Sequence, residues 1–243
     1  MKTRLAYTKK KEARYIAHLD LTRVFDRALR RAQIEVNYSE GFNPHPKISF
    51  GPPLPVGVEG VQEYVDIDLK EPESISRETC LKEAVGKLQK QLPEGVGLIG
   101  CGIRPEGSKA LMAIITLARY KIIVPLNEKI DPLAVQEVCD RWLSRKEVIV
   151  IRCQKGKKSE RNIRPFVKRI EVLSEEASME IELRLDIKTG NEGSVRPLEV
   201  MQSISTIEGL PVDLAGISTI REGLYIEDKD GGMLDPIEYI GKV

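Results

Sequence analysis

"EYVDIDL", residues 63–69, alternates residue by residue: Val65, Ile67 and Leu69 fall on one face of an extended chain, Asp66 and Asp68 on the other. A period of two with one apolar face describes a strand laid against a core on one side only. Before it, Leu21, Val24, Phe25, Ala28, Leu29 and Ala32 recur at the helical period in "LTRVFDRALRRA", residues 21–32, and predict an amphipathic helix. "TRLAY" (3–7) and "ISF" (48–50) read as further strands. Leu81, Ala84, Val85, Leu88 and Leu92 mark a second helix, and "GVGLIGC" (95–101) a short Gly-rich strand. The order through residue 103 is therefore βαββαβ.

The pattern breaks at 102–109, and a similar order then begins again. "LMAIITLARYKIIV" (111–124) reads as a strand, and "DPLAVQEVCDRWL" (131–143) as a helix with Asp131 as N-cap and Pro132 in its first turn. "EVIVIRC", "FVKRIEVL" and "SMEIELRLDI" follow as strands, "RPLEVMQSIS" as a helix and "STIREGLYIE" as the closing strand. The expected fold is α+β, two tandem ferredoxin-like units with antiparallel sheets over 1–105 and 106–243, the second with an extra strand. The two halves share this pattern without visible sequence identity.

The 243 residues carry 41% hydrophobic side chains, enough to bury cores without covalent staples. Cys80, Cys101, Cys139 and Cys153 include no Cys-x-x-Cys pair, so reduced, partly buried thiols are expected rather than a zinc ribbon. The charged opening "MKTRLAYTKKKEARY" lacks the apolar run of a signal peptide and no later stretch could span a bilayer; the expected location is the cytoplasm.

The net charge of +1 hides an asymmetry. Residues 1–50 hold eleven Lys/Arg against five Asp/Glu, and the island "IRCQKGKKSERNIRPFVKRI" (151–170) holds eight basic side chains against Glu160 alone. Positive clusters on an otherwise acidic chain are the footprint of a phosphate-binding surface, although many charge runs are merely solvated faces.

Both histidines, His18 and His45, lie in the first fifth of the chain, and His45 sits in "GFNPHPKISFGPPLPVGVEG" (41–60), where nine residues are Gly or Pro. Pro44 and Pro46 hold Asn43 and His45 extended. A loop so stiff loses little entropy on binding, although sealing an edge against strand pairing is the plainer use. His18 and Asp20 stand at the start of the first helix, with Arg23 and Arg27 following at helical spacing and Tyr38 and Lys47 in or beside the loop. If these elements converge, the pocket suits a phosphate or an RNA backbone, extended by Lys155, Lys157, Lys158, Arg161 and Arg164. Plainer readings make Asp20 a cap or first-turn charge and His18 a helix-start residue bonded to the loop. His18 and His45, with Asp20, are also the candidate acid–base groups for metal-independent RNA cleavage. An iron site of two histidines and a carboxylate is disfavoured because Asp20 leads directly into a helix, and no metal is expected. Nucleotide-loop, hydrolase-elbow and iron–sulfur cysteine motifs are absent, and 5% aromatic residues leave little for extensive base stacking.

"YIAHLDLTRVFDRALRRAQIEVNYSEGFNPHPKISFGPPLPVGVEGVQEYVDIDL" closely resembles the opening of the bacterial radical SAM-linked proteins, a domain of unknown function, and "NIRPFVKRI", "SVRPLEV" and "IREGLY" fit the remainder. The resemblance implies a radical SAM enzyme of the cobalamin-binding type as partner. The iron–sulfur cluster, S-adenosylmethionine and cobalamin would belong to that partner, with no cofactor in this chain. It implies no catalytic residue. The first helix with its loop is also similar in pattern to the N-terminal unit of CRISPR repeat-associated RNA-processing proteins, an analogy only. The leading expectation is an accessory protein that presents tRNA or rRNA to the radical SAM enzyme. The alternatives are an RNA-cleaving or RNA-modifying enzyme, and a protein-interaction module that docks the radical SAM enzyme through the Pro-rich loop.

Overall fold

A computed structural model describes residues 1–154, 156–190 and 193–240. The chain divides into two compact units, residues 1–116 with 223–243, and residues 117–222. The sequence reading put everything after 105 in one unit; instead the last 21 residues return to the first unit.

The first unit runs β1 (Lys2–Lys9), α1 (His18–Arg31), β2 (Ile48–Phe50), β3 (Glu59–Asp68), α2 (Arg77–Gln89), β4 (Val96–Ile103) and a one-turn helix α3 (Leu111–Ile114). The strands lie in the order β4-β1-β3-β2, each neighbour antiparallel. Alternation sends Leu5, Tyr7, Val65 and Ile67 to one face, where they pack with Leu21, Phe25 and Leu29 of α1 and Leu81 and Leu88 of α2. Tyr7, Phe25 and Phe50 meet edge to face at 5.4–6.1 Å at the centre of this core. The opposite alternation places Arg4 directly across from Asp66.

The second unit runs β5 (Leu117–Ile130), α4 (Pro132–Ser144), β6 (Ile149–Gln154), β7 (Lys157–Asn162), β8 (Val167–Val172), β9 (Ser178–Lys188) and α5 (Pro197–Glu208). β10 (Ser218–Glu227) starts here and ends in the first unit, which β11 (Met233–Leu234) and α6 (Pro236–Ile240) complete. The order is β10-β5-β9-β8, with β6 and β7 pairing only with each other as a separate hairpin. Asp131 caps α4 as its sequence predicts, its carboxylate accepting from the Leu133 N–H at 2.8 Å. Trp142, fully buried, donates its indole N–H to Ser203 Oγ at 3.0 Å and ties α4 to α5.

Two sequence assignments change. Residues 111–114 are helical rather than the start of a strand, and β5 begins at Leu117, where alternation sets in. The stretch read only as a basic island contains a strand, β7. The six helices among the described residues and the antiparallel pairings describe a mixed α+β protein.

Candidate nucleic-acid interface

Helix α1 turns Leu21, Phe25, Ala28 and Leu29 inward. Its period of 3.6 therefore leaves Asp20, Arg23, Arg27 and Arg30 on the outer side, all four exposed. Asp20 neither caps the helix nor faces a histidine: its carboxylate accepts from Arg23 Nη1 at 2.9 Å. Asp26 holds Arg30 in the same way at 2.9 Å. Arg27 has no hydrogen-bond or ion-pair partner among the described residues.

The proline-rich loop leaves its stem pinned and its tip bare. The Ser39 N–H donates to the His45 carbonyl at 2.8 Å, the His45 N–H to Ser39 Oγ at 3.0 Å, and Tyr38 pairs with Pro46. The Lys47 N–H reaches the Asn37 carbonyl at 2.8 Å, so the stem is stitched to the chain on both sides. At the tip Gly41 takes φ 122°, a conformation that side-chain-bearing residues avoid. Phe42 is fully exposed, Tyr38 is 42% exposed, and Asn43, His45 and Lys47 also face solvent. Tyr38 lies near the last turn of α1: the Arg30 guanidinium is held above its ordinary value by its bond to Asp26, by that carboxylate's charge and then by the Tyr38 oxygen.

The two histidines part company. His18 opens α1 with its ring edge-on to Phe50 at 5.5 Å, and burial, then the Lys9 charge, pushes its pKa below the ordinary range, so it is neutral at pH 7. His45 is exposed on the loop whose stem meets the opposite end of α1. Fourteen residues of helix span about 20 Å, and no hydrogen bond or ring contact joins the two imidazoles. The structure does not bring them together as an acid–base couple. Among the described residues no group of three or more His, Cys, Asp or Glu side chains could hold a metal ion.

In the second unit the β6–β7 hairpin presents Lys158 to solvent, while Arg161 stacks its guanidinium over the Phe166 ring at 4.6 Å. Arg164 turns inward. Its Nε donates to the Leu143 carbonyl at 2.8 Å and its Nη1 to that of Val167 at 2.7 Å, so it ties α4 to β8 and is not available for a phosphate. Arg152 is likewise occupied, forked onto Glu199 at 2.7 Å on both arms. Burial alone would raise the Glu199 pKa, yet Arg152 and the Arg196 N–H hold it below the usual carboxylate range. Lys155, and the side chain of Lys157, lie outside the described residues. Of the cysteines, Cys139 is buried, which pushes its thiol up to about 12, and Cys153 is exposed.

The sequence reading missed the polar face of the first sheet. Asp66 accepts from Arg4 Nε and Nη2 at 2.8 and 3.1 Å and from Arg104 Nη1 at 2.8 Å, beside a cavity of about 220 Å³ lined by Lys2, Lys47, Ser49 and Asp68 among others. The alternation of 63–69 signals that Asp66 faces away from the core. Nothing local signals that Arg104, 38 residues later, closes on it.

A family model described as an uncharacterized protein conserved in bacteria (DUF2344) matches residues 2–197. No curated protein matches the chain. Among solved structures it is similar to a chain of a Cbf5–Nop10–Gar1 complex, at 13% identity and a TM-score of 0.51, covering 93% of this chain and 50% of that one. An H/ACA RNP bound to a substrate RNA containing 2'-deoxyuridine gives 12% identity, a TM-score of 0.46 and coverage of 89% and 46%. The archaeal box H/ACA sRNP Nop10–Cbf5 complex gives 13%, 0.45, 89% and 46%. The chain thus spans about half the length of the structural relatives it matches. No helix among the described residues is long and apolar enough to cross a membrane.

Proposed function

We propose, for a chain that belongs to the bacterial DUF2344 family, a role as an RNA-binding accessory protein built from two ferredoxin-like repeats. What supports the repeat is the pair of strand orders β4-β1-β3-β2 and β10-β5-β9-β8, which read alike from the first strand of each unit. One observation carries the RNA reading. The α1–loop surface exposes Phe42, Tyr38 and His45 on a preformed loop in a unit whose Arg27 and Lys47 have no anionic partner among the described residues. Single-stranded RNA is bound by just this pairing of ring faces for bases with loose cations for phosphates. Lys158 and Arg161 on the β6–β7 hairpin would add backbone contacts, and the partner presented with the RNA would be a radical SAM enzyme carrying its own cluster, S-adenosylmethionine and cobalamin. Neither imidazole receives a proton-transfer role in this reading.

Crosslinking of the tagged protein in its native cells, followed by sequencing, should enrich one class of structured RNA. Phe42→Ala should weaken binding of that RNA by about 1–3 kcal/mol, the worth of one stacked base, and Arg27→Ala should lower the salt dependence by about one phosphate contact. Background RNA in wild type and variants alike, at low salt, would sink the proposal.

A further inference from the structure

The cavity on the polar face of the first sheet has the makings of a binding site, and it shares only Lys47 with the α1–loop surface. Lys2 reaches it from β1, Lys47, Ile48 and Ser49 from β2 and the residue before it, Asp66 and Asp68 from β3, and Arg104 from just beyond β4. The lining includes two carboxylates, which suggests a cation site at first sight. The hydrogen bonds exclude it. Both oxygens of Asp66 are filled by guanidinium donors of Arg4 and Arg104, and Asp68 Oδ1 accepts from Asn37 Nδ2 at 3.1 Å. A cation would meet Lys2, Lys47, Arg4 and Arg104 with their charges only half offset by those two carboxylates.

Positive charge remains in excess, and donors remain free. Among the described residues the ammonium groups of Lys2 and Lys47 have no hydrogen-bond or ion-pair partner, and both side chains are exposed at the cavity. Arg104 is nine-tenths buried: Nη1 is on Asp66, Nη2 on the carbonyls of Ser108 and Lys109 at 2.9 and 3.0 Å, and its Nε is buried with no partner at all. That Nε is sealed from water, so Arg104 lends the cavity wall a fixed positive charge and leaves the hydrogen bonding to Lys2, Lys47 and Ser49. Lysine ammonium groups bind phosphate as point charges. A space of about 220 Å³ accommodates a group several times the size of a water molecule and no more than a small ligand head.

We infer that this cavity binds the terminal phosphate of a phosphomonoester, held by Lys2, Lys47 and Ser49 over Arg104. The same chemistry has two sources, a free mononucleotide or other small phosphate ester, and the 5'-phosphate end of an RNA. Calorimetric titration of the full chain at low ionic strength separates them, with four probes: inorganic phosphate, AMP, and one short oligoribonucleotide with and without its 5'-phosphate. Phosphate and AMP should bind. Lys2→Gln should lose about tenfold in affinity for each, the size of one charge-assisted hydrogen bond. Lys47→Gln, at an equally exposed position, should lose a similar amount, and Arg104→Lys, which keeps the charge at the wall, should lose less. A 5'-phosphate-dependent gain for the oligonucleotide that Lys2→Gln removes would name an RNA end as the source; equal binding of both oligonucleotides would leave the free ester. No binding of phosphate or AMP at millimolar concentration, or binding unchanged in Lys2→Gln, would overturn the inference. Phe42→Ala should leave phosphate binding unchanged, so failure here is distinct from failure of the RNA surface.

Discussion

Each unit carries the same cross-strand pair in a different setting. In the first, Arg4 on β1 stands in register with Asp66 on β3 and forks onto it at 2.8 and 3.1 Å. In the second, Arg119 on β5 stands in register with Asp186 on β9 and forks onto it at 2.7 and 2.8 Å. The geometry repeats; the surroundings do not. The Arg4 and Asp66 side chains are 1% and 4% exposed, Arg4 adds a bond to the Pro236 carbonyl, and Arg104 supplies a second guanidinium. Arg119 keeps 21% of its side chain in water, and the residue opposite Asp186 on its other side, Arg169, is bonded to Glu171. One unit has dried its pair and built a cavity beside it, while the other keeps the pair as a partly wetted clasp between neighbouring strands.

That contrast sets the largest expected effect. Asp66→Ala strands two buried guanidinium groups without a counter-charge, which should cost about 3–5 kcal/mol. Asp186→Ala leaves one guanidinium that can turn to water, and should cost about 1–3 kcal/mol. Urea unfolding of the two variants gives both numbers. Equal losses would mean that the surroundings of the pair do not matter, and the distinction between the units would collapse.

Helix caps provide the control in which the units should agree. Ser76 Oγ accepts from the Thr79 N–H at 3.2 Å to open α2, as the Asp131 carboxylate does for Leu133 in α4. Ser76→Ala and Asp131→Ala should each cost about 1 kcal/mol. If they differ by more than that in urea unfolding, the units differ in local stability and the Asp66 and Asp186 results must be referred to that difference.

How far the sequence reached follows from the range of the interactions involved. The alternation of 63–69 and the helical period of 21–32 are set within a few residues, and the βαββαβ order they imply for residues 1–103 is the order observed. The Asp131–Pro132 start of α4 is equally local. Register is not local. Nothing in "TRLAY" or "YVDIDL" says that Arg4 meets Asp66, because a separation of 62 positions leaves every even shift open to the same pattern. For the same reason Arg164, counted from its neighbours as part of a basic surface, is drawn inward by the Leu143 and Val167 carbonyls. The two histidines looked like partners because they are close in sequence, yet one packs on Phe50 and the other rides an exposed loop. Local composition identified the charged and aromatic residues; only the long-range pairing decides which of them face water.

The smallest effect distinguishes the units by acidity. His18 lies in the first unit and the second unit holds no histidine, so the acid response of its imidazole acts in the first unit alone. The fold holds His18 neutral, with its pKa below the unfolded value of about 6.5, because its ring is partly buried against Phe50 and Lys9 lies near. The folded state therefore binds fewer protons than the unfolded chain in this window. Its stabilising contribution is full above the unfolded value and is lost progressively as pH falls toward the folded one. Hydrogen exchange should show protection in α1 and β2 falling between pH 7 and 5, after correction for intrinsic rates, while that of α4 and β9 stays level. His18→Asn should flatten the first profile. A fall that persists in His18→Asn, or that appears equally in the second unit, would assign the pH response to carboxylates present in both units and remove His18 from the contrast.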